Sequence, residues 1–145
     1  FKEKRRDGAE DRASFQNFSF NFDSASGIIY TVDVTKPKGE KITIISMADG
    51  TPFSMDKMYK VALNSYRGNG GGELLTKGAG IPQDELKGRI LFSTDKDLRY
   101  YLMQYIEKKG VIEPHALGQW KFIPEEWVEP AAKRDYEYLF GKVEK

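Results

Sequence analysis

Ile28-Ile29-Tyr30-Thr31-Val32-Asp33-Val34, then Lys36-Pro37-Lys38-Gly39, then Lys41-Ile42-Thr43-Ile44-Ile45-Ser46-Met47: these runs decide the fold class. In the first, Ile28, Tyr30, Val32 and Val34 alternate with Ile29, Thr31 and Asp33. That is the period of a half-buried strand, and β-branched residues suit its pleated surface. Proline presets φ and glycine accepts positive φ, so Pro37 and Gly39 mark a turn. The third run returns as another strand, and the two are expected as antiparallel neighbours.

Outward from this hairpin the patterns are weaker. Upstream, Phe18, Phe20 and Phe22 alternate with Ser19 and Asn21, which predicts a strand that Ser24-Ala25-Ser26-Gly27 breaks. Downstream, Asp49-Gly50 and Pro52 mark a loop, and Met58 to Asn64 places Tyr59, Val61 and Leu63 on one face of a further expected strand. Pro82 to Leu86 reads as a helical first turn, its acids near the positive dipole end. Arg89 to Ser93 is a short strand candidate. Thr94 to Asp97 offers an N-cap, with Asp97 where a capping box prefers Glu. Behind it Leu98, Tyr101, Leu102, Tyr105 and Ile106 trace one apolar helix face, read as core, and Gly110 ends the helix. Trp120 and Trp127 are expected to anchor the tail, which closes with a helix over Ala131 to Phe140. Strands first and helices later give an α+β class with a mixed, mainly antiparallel sheet and packed helices.

At 145 residues, with 39% hydrophobic and 31% charged residues, the chain has the size and composition of a domain with a core. The net charge of +1 excludes the strongly basic footprint of a nucleic-acid polymer binder. No run approaches the roughly 18 apolar residues of a membrane span. The absence of cysteine excludes disulfides and zinc-cysteine sites. The single histidine, His115, is too few for the usual two-metal centre, which collects several histidines with carboxylates. The stretch 1–14 alternates charges and reads as an arm or loop, and this start in mid-loop suggests a piece of something longer. The body of the domain is expected over 15–110, with an extension packed on it over 111–145.

Asn64-Ser65-Tyr66-Arg67-Gly68-Asn69-Gly70-Gly71-Gly72-Glu73 carries the chemistry. So many glycines directly after an expected strand let the backbone do what side chains would prevent. Consecutive amides in such a loop can form an anion-binding concavity. Both familiar phosphate motifs fail here, however: Glu73 and Leu75 stand where a dinucleotide fingerprint needs glycine, and Lys77 lies between Thr76 and Gly78 instead of in Gly-Lys-Ser/Thr. Tyr66 offers a stacking face and Arg67 a guanidinium fork. The competing reading is a tight turn with Tyr66 packed in the core. The acid pairs Asp84/Glu85, Asp95/Asp97 and Glu125/Glu126 read as helix starts, and His115 as a loop residue without metal-type partners.

The run Phe22-Asp23-Ser24-Ala25-Ser26-Gly27, Ile28 to Val34 and Lys36-Pro37-Lys38-Gly39 resembles a signature in the C-terminal domain of 5′-nucleotidases. Tyr59-Lys60-Val61-Ala62-Leu63-Asn64, followed by Tyr66 and Asn69-Gly70-Gly71, is similar to that domain's second signature. The resemblance covers about Phe18 to Ile106 and implies an N-terminally truncated domain of that fold. It implies that catalysis belongs to a separate N-terminal metallophosphoesterase domain with two divalent metal ions, whose motifs are missing here, so this chain holds no catalytic residue or cofactor. It implies a substrate-binding role for Tyr66, Arg67, Asn69, Gly70, Gly71 and Gly72, with Tyr66 stacking on the base of a nucleotide. Asn69 then contacts the base edge, and Gly70 and Gly71 let the backbone come close. Gly72 departs from the pattern, standing where 5′-nucleotidases usually place an aspartate that meets the ribose hydroxyls. Arg67 after Tyr66 looks more like the 2′,3′-cyclic-nucleotide phosphodiesterase/3′-nucleotidase branch. A periplasmic or cell-surface location is implied as well. Outside this resemblance the sequence admits a stand-alone ligand- or carbohydrate-binding module, or a structural domain whose glycine loop is only a turn.

Overall fold

The computed structural model describes residues 3–5, 13–15 and 19–140. It divides into two units, Phe1–Asp56 with Leu117–Lys145, and Lys57–Ala116.

The first unit is built on the expected hairpin. Glu3–Arg5 (β1) and Ala13–Phe15 (β2) form a short antiparallel pair, so part of the stretch expected as an arm is strand. Ile28–Asp33 (β3) pairs antiparallel with Ile42–Met47 (β4), Tyr30 facing Ile44 and Val32 facing Ile42. The register shifts between Ile29 and Tyr30, where β4 carries one extra residue, Ile45. Such a bulge bends the strand and increases its twist. On its other side β3 pairs parallel with Trp120–Ile123 (β5), giving the order β4-β3-β5. Tyr30 lies opposite Trp120 in that register, and their rings stack at 5.9 Å and 11°. Phe122 meets Trp120 edge-on at 5.1 Å, and Phe22 covers both rings at 5.9 and 6.4 Å. This aromatic cluster is the unit's core, and Tyr30 is its buried member. Gln119 locks the entry to β5: its Oε1 accepts from Ser26 Oγ and from the Gly27 amide, both at 3.2 Å.

The strand expected over Phe18–Phe22 is corrected. Phe18 lies outside the described residues, Ser19–Asn21 is a 3-10 turn, and Phe22 joins the aromatic cluster. The last helix, expected from Ala131, begins at Glu125 and runs to Phe140 (α3 below), through Pro130. Lys121 Nζ holds Glu125 Oε1 at 2.6 Å, and Trp127 and Val128 donate to the Pro124 carbonyl to close the first turn. Trp120 anchors the tail as expected, whereas Trp127 is 63% exposed and does not.

The second unit is helical. Ser65–Gly68 (α1) is followed by tight turns over Gly71–Glu73, Leu74–Gly78 and Gln83–Arg89, and then by Leu98–Lys109 (α2). Leu86 is its buried apolar residue. The strands expected over Met58–Asn64 and Arg89–Ser93 are absent. Alternation makes a strand only where another edge can accept its backbone groups, and among the described residues of this unit there is no other strand. The cap of α2 is Asp97 itself, whose carboxylate accepts from the Tyr100 amide at 3.0 Å, and Gly110 ends the helix at φ 75°. The apolar stripe from Leu98 to Ile106, expected as core, is instead exposed at Leu98, Tyr101, Leu102, Tyr105 and Ile106. Periodicity establishes the apolar face of a helix but not what covers it.

Candidate functional site

The loop after Asn64 is ordered from its first residue. Asn64 has extended backbone angles, and its Oδ1 accepts the Arg67 amide at 2.8 Å, capping α1. Asparagine favours this position because its side-chain oxygen satisfies an amide that has no partner in the first turn. The amides of Gly68, Asn69, Gly70 and Glu73 donate to Asn64, Ser65, Arg67 and Gly70 carbonyls. These amides tighten the chain on itself instead of lining a concavity for an anion.

Tyr66 stands on this turn as a 53% exposed residue, so the tight turn with a core tyrosine is not what forms. The ring is nonetheless held. Arg67 Cζ lies 5.2 Å from its centroid, a cation–π arrangement. A Cβ on Gly71 would stand 2.5 Å from Tyr66 Cδ2 and Cε2, so the ring rests where only glycine leaves room. Arg67 is 4% exposed, and its Nη1 donates to the Gly71 carbonyl at 3.1 Å.

Gly70, at φ 91°, is packed from the other end of the loop. A Cβ there would meet Gln83 Oε1 at 2.5 Å and Leu86 Cδ1 at 3.1 Å. Gln83 Nε2 also donates to the Asn69 carbonyl at 3.1 Å. Gly72 sits at φ 67° inside the turn that follows, and the Asn69 residue is exposed at the rim. The six residues singled out by sequence therefore share one compact loop. Gln83 was not among them. Its position after Pro82 reads only as a helical first turn, and nothing local signals that its amide reaches back to Asn69.

Among the described residues, other groups gather no site. His115 is exposed, with Nδ1 3.2 Å from the Glu113 carbonyl. The Lys121 ammonium beside Glu125 holds that carboxyl below its ordinary value, first through the hydrogen bond and then through its charge. Among the described residues no group of three or more His, Cys, Asp and Glu side chains comes together, so these residues do not fit a metal centre. Nor is any described helix long and apolar enough to cross a membrane.

The family model for the 5′-nucleotidase, C-terminal domain, matches residues 5–77, just over half of the 145 residues. A trifunctional nucleotide phosphoesterase protein of Bacillus subtilis, YfkN, is 31% identical over 121 residues, covering 75% of this chain and 8% of that protein. A 2′,3′-cyclic-nucleotide 2′-phosphodiesterase/3′-nucleotidase of Haemophilus influenzae is 26% identical over 121 residues, covering 73% of this chain and 17% of that protein. The chain thus spans less than a fifth of either relative. No solved structure matches it.

Proposed function

The chain belongs to the 5′-nucleotidase C-terminal domain family, and from that footing we propose that it recognises the nucleoside part of a nucleotide for a longer phosphoric ester hydrolase of nucleotide catabolism. The observation that carries this reading is the Tyr66 ring, half exposed yet held by Arg67 and Gly71. A fixed aromatic face supplies stacking energy at little ordering cost, and it accepts any base because every base has a π-face. Asn69 at the rim carries both a donor and an acceptor for a base edge. Gly71 keeps a side chain out of the space the ring occupies, and Gly70 lets the loop pack against Gln83 and Leu86.

In this reading the domain contributes binding energy and orientation, and the phosphate is presented to a separate N-terminal metallophosphoesterase domain of the same parent. Two divalent metal ions in that domain would supply Lewis-acid chemistry. The residues here bind and orient, and no step of hydrolysis is assigned to them. A periplasmic or cell-surface location belongs to the same proposal. The hydrolase reading is supported by the family, and by the two relatives named as nucleotide phosphoesterase and cyclic-nucleotide phosphodiesterase/3′-nucleotidase.

The test is adenosine binding to the 145-residue chain, followed by ligand-observed NMR. One platform leaves affinity of about millimolar after the cost of association. Stacking is worth roughly 1–3 kcal/mol, so Tyr66→Ala should weaken binding by about 5- to 150-fold while Tyr66→Phe changes little. Equal binding by wild type and a folded Tyr66→Ala removes Tyr66 from the site. Binding of a simple sugar with no response to nucleosides would favour a carbohydrate module instead.

A further inference from the structure

We infer that Arg67 is a positioning residue, whose guanidinium fixes the Tyr66 ring and the glycine loop to each other and does not take the ligand's phosphate. The functional consequence rests on the nucleoside-binding reading above; the clamp itself rests on geometry. At 4% exposure Arg67 is the buried charged residue among those described. A cation so far out of water must be matched by partners, and two of them lie in the loop itself. Nη1 donates to the Gly71 carbonyl at 3.1 Å, and Cζ lies over the Tyr66 ring at 5.2 Å. Its backbone is held as firmly, the amide by Asn64 Oδ1 at 2.8 Å and the carbonyl by the Gly70 amide at 2.9 Å. One residue therefore ties the cap of α1, the glycine turn and the aromatic face.

Arginine suits this task because its planar fork donates in its own plane while its face lies against an aromatic ring. An ammonium at the end of a lysine is a point charge without that planar face. The Gly71 contact completes the arrangement: the carbonyl of Gly71 is gripped by Arg67, and its missing Cβ is the space the ring occupies. Moving the guanidinium out to a phosphate would release both. The exposed part of the ring, not the buried cation, is what faces a ligand.

The experiment compares wild type, Arg67→Lys, Arg67→Met, Tyr66→Ala and the double variant Tyr66→Ala/Arg67→Met in the 145-residue chain, with ring-labelled tyrosine and with adenosine and its 5′-monophosphate as probes. The expected result is that both Arg67 variants shift or broaden the Tyr66 ring signals while the signals of Tyr30 stay in place. Adenosine and the monophosphate should weaken by the same factor, roughly fivefold or more and no more than for Tyr66→Ala, and the double variant should lose nothing further than Tyr66→Ala. Unchanged Tyr66 signals in a folded Arg67→Lys overturn the inference. So does a selective loss for the monophosphate, which would make Arg67 a phosphate contact. If Arg67→Met does not fold, Arg67→Lys decides by the same readings. If the wild type binds neither probe, the nucleoside reading fails and the ring signals alone decide on Arg67.

Discussion

Gly71 shows how a residue without a side chain shapes a site. Its backbone lies against Tyr66 so closely that a methyl group would stand 2.5 Å from the ring and 2.6 Å from the Tyr66 carbonyl oxygen. Neither can yield cheaply, since one is backbone and the other is a ring also backed by Arg67. Gly71→Ala should therefore cost about 1–3 kcal/mol of stability, the usual penalty for overpacking. It should also displace the ring and reduce adenosine binding as far as Tyr66→Ala does. Thermal unfolding together with ligand-observed NMR checks both effects, and full binding by Gly71→Ala would show that the platform does not depend on this contact. Asn69 and Gly72 were legible as loop residues from glycine density alone. The burial of Arg67 was not, because a guanidinium next to a loop reads equally as a ligand group and as a strut.

The decisive element is β5. Four residues, Trp120 to Ile123, complete a sheet whose centre is β3, far away in sequence. Trp120 stacks on Tyr30 and meets Phe22 and Phe122, whereas Trp127 is 63% exposed. Trp120→Ala should thus cost about 3 kcal/mol, the low end for an aromatic-to-alanine change because the ring is only half-buried. Trp127→Ala should stay within about 0.5 kcal/mol. Denaturant unfolding of the two variants tests the contrast, and equal losses would refute it. The turn between β3 and β4 carries a pH signature. Asp33 Oδ1 accepts from Thr35 Oγ1 at 2.6 Å and from the Thr35 amide at 2.9 Å. These bonds, in that order, hold the Asp33 carboxyl below its ordinary value, with Lys36 and Lys41 assisting. A depressed folded value means that the contribution is complete above the unfolded value and lost as pH falls through the folded one. The Thr35 amide signal should stay put down to about pH 4 and move below it; a shift beginning well above that range would contradict the assignment.

For the molecule as a whole, the proposed division of labour makes the isolated chain catalytically silent. The purified 145 residues should release no phosphate from 5′- or 3′-monophosphates or cyclic nucleotides, with or without added divalent metal, and robust metal-dependent release would overturn that division. The α+β class, the β3–β4 hairpin with its turn at Pro37–Gly39, and the span of α2 up to Gly110 were legible in the sequence by itself. Each depends on interactions within a few residues: alternation, turn chemistry and helix periodicity. Tertiary structure alone decided the rest. The alternating Met58–Asn64 run forms no strand while the shorter Trp120–Ile123 does, because alternation does not itself supply a pairing partner, and Trp120–Ile123 finds one along β3. The exposure of Tyr66 and the burial of its neighbour Arg67 were likewise open in the sequence. They were settled by where Gly71 and its carbonyl come to lie, since burial is a property of what surrounds a side chain and not of the side chain itself.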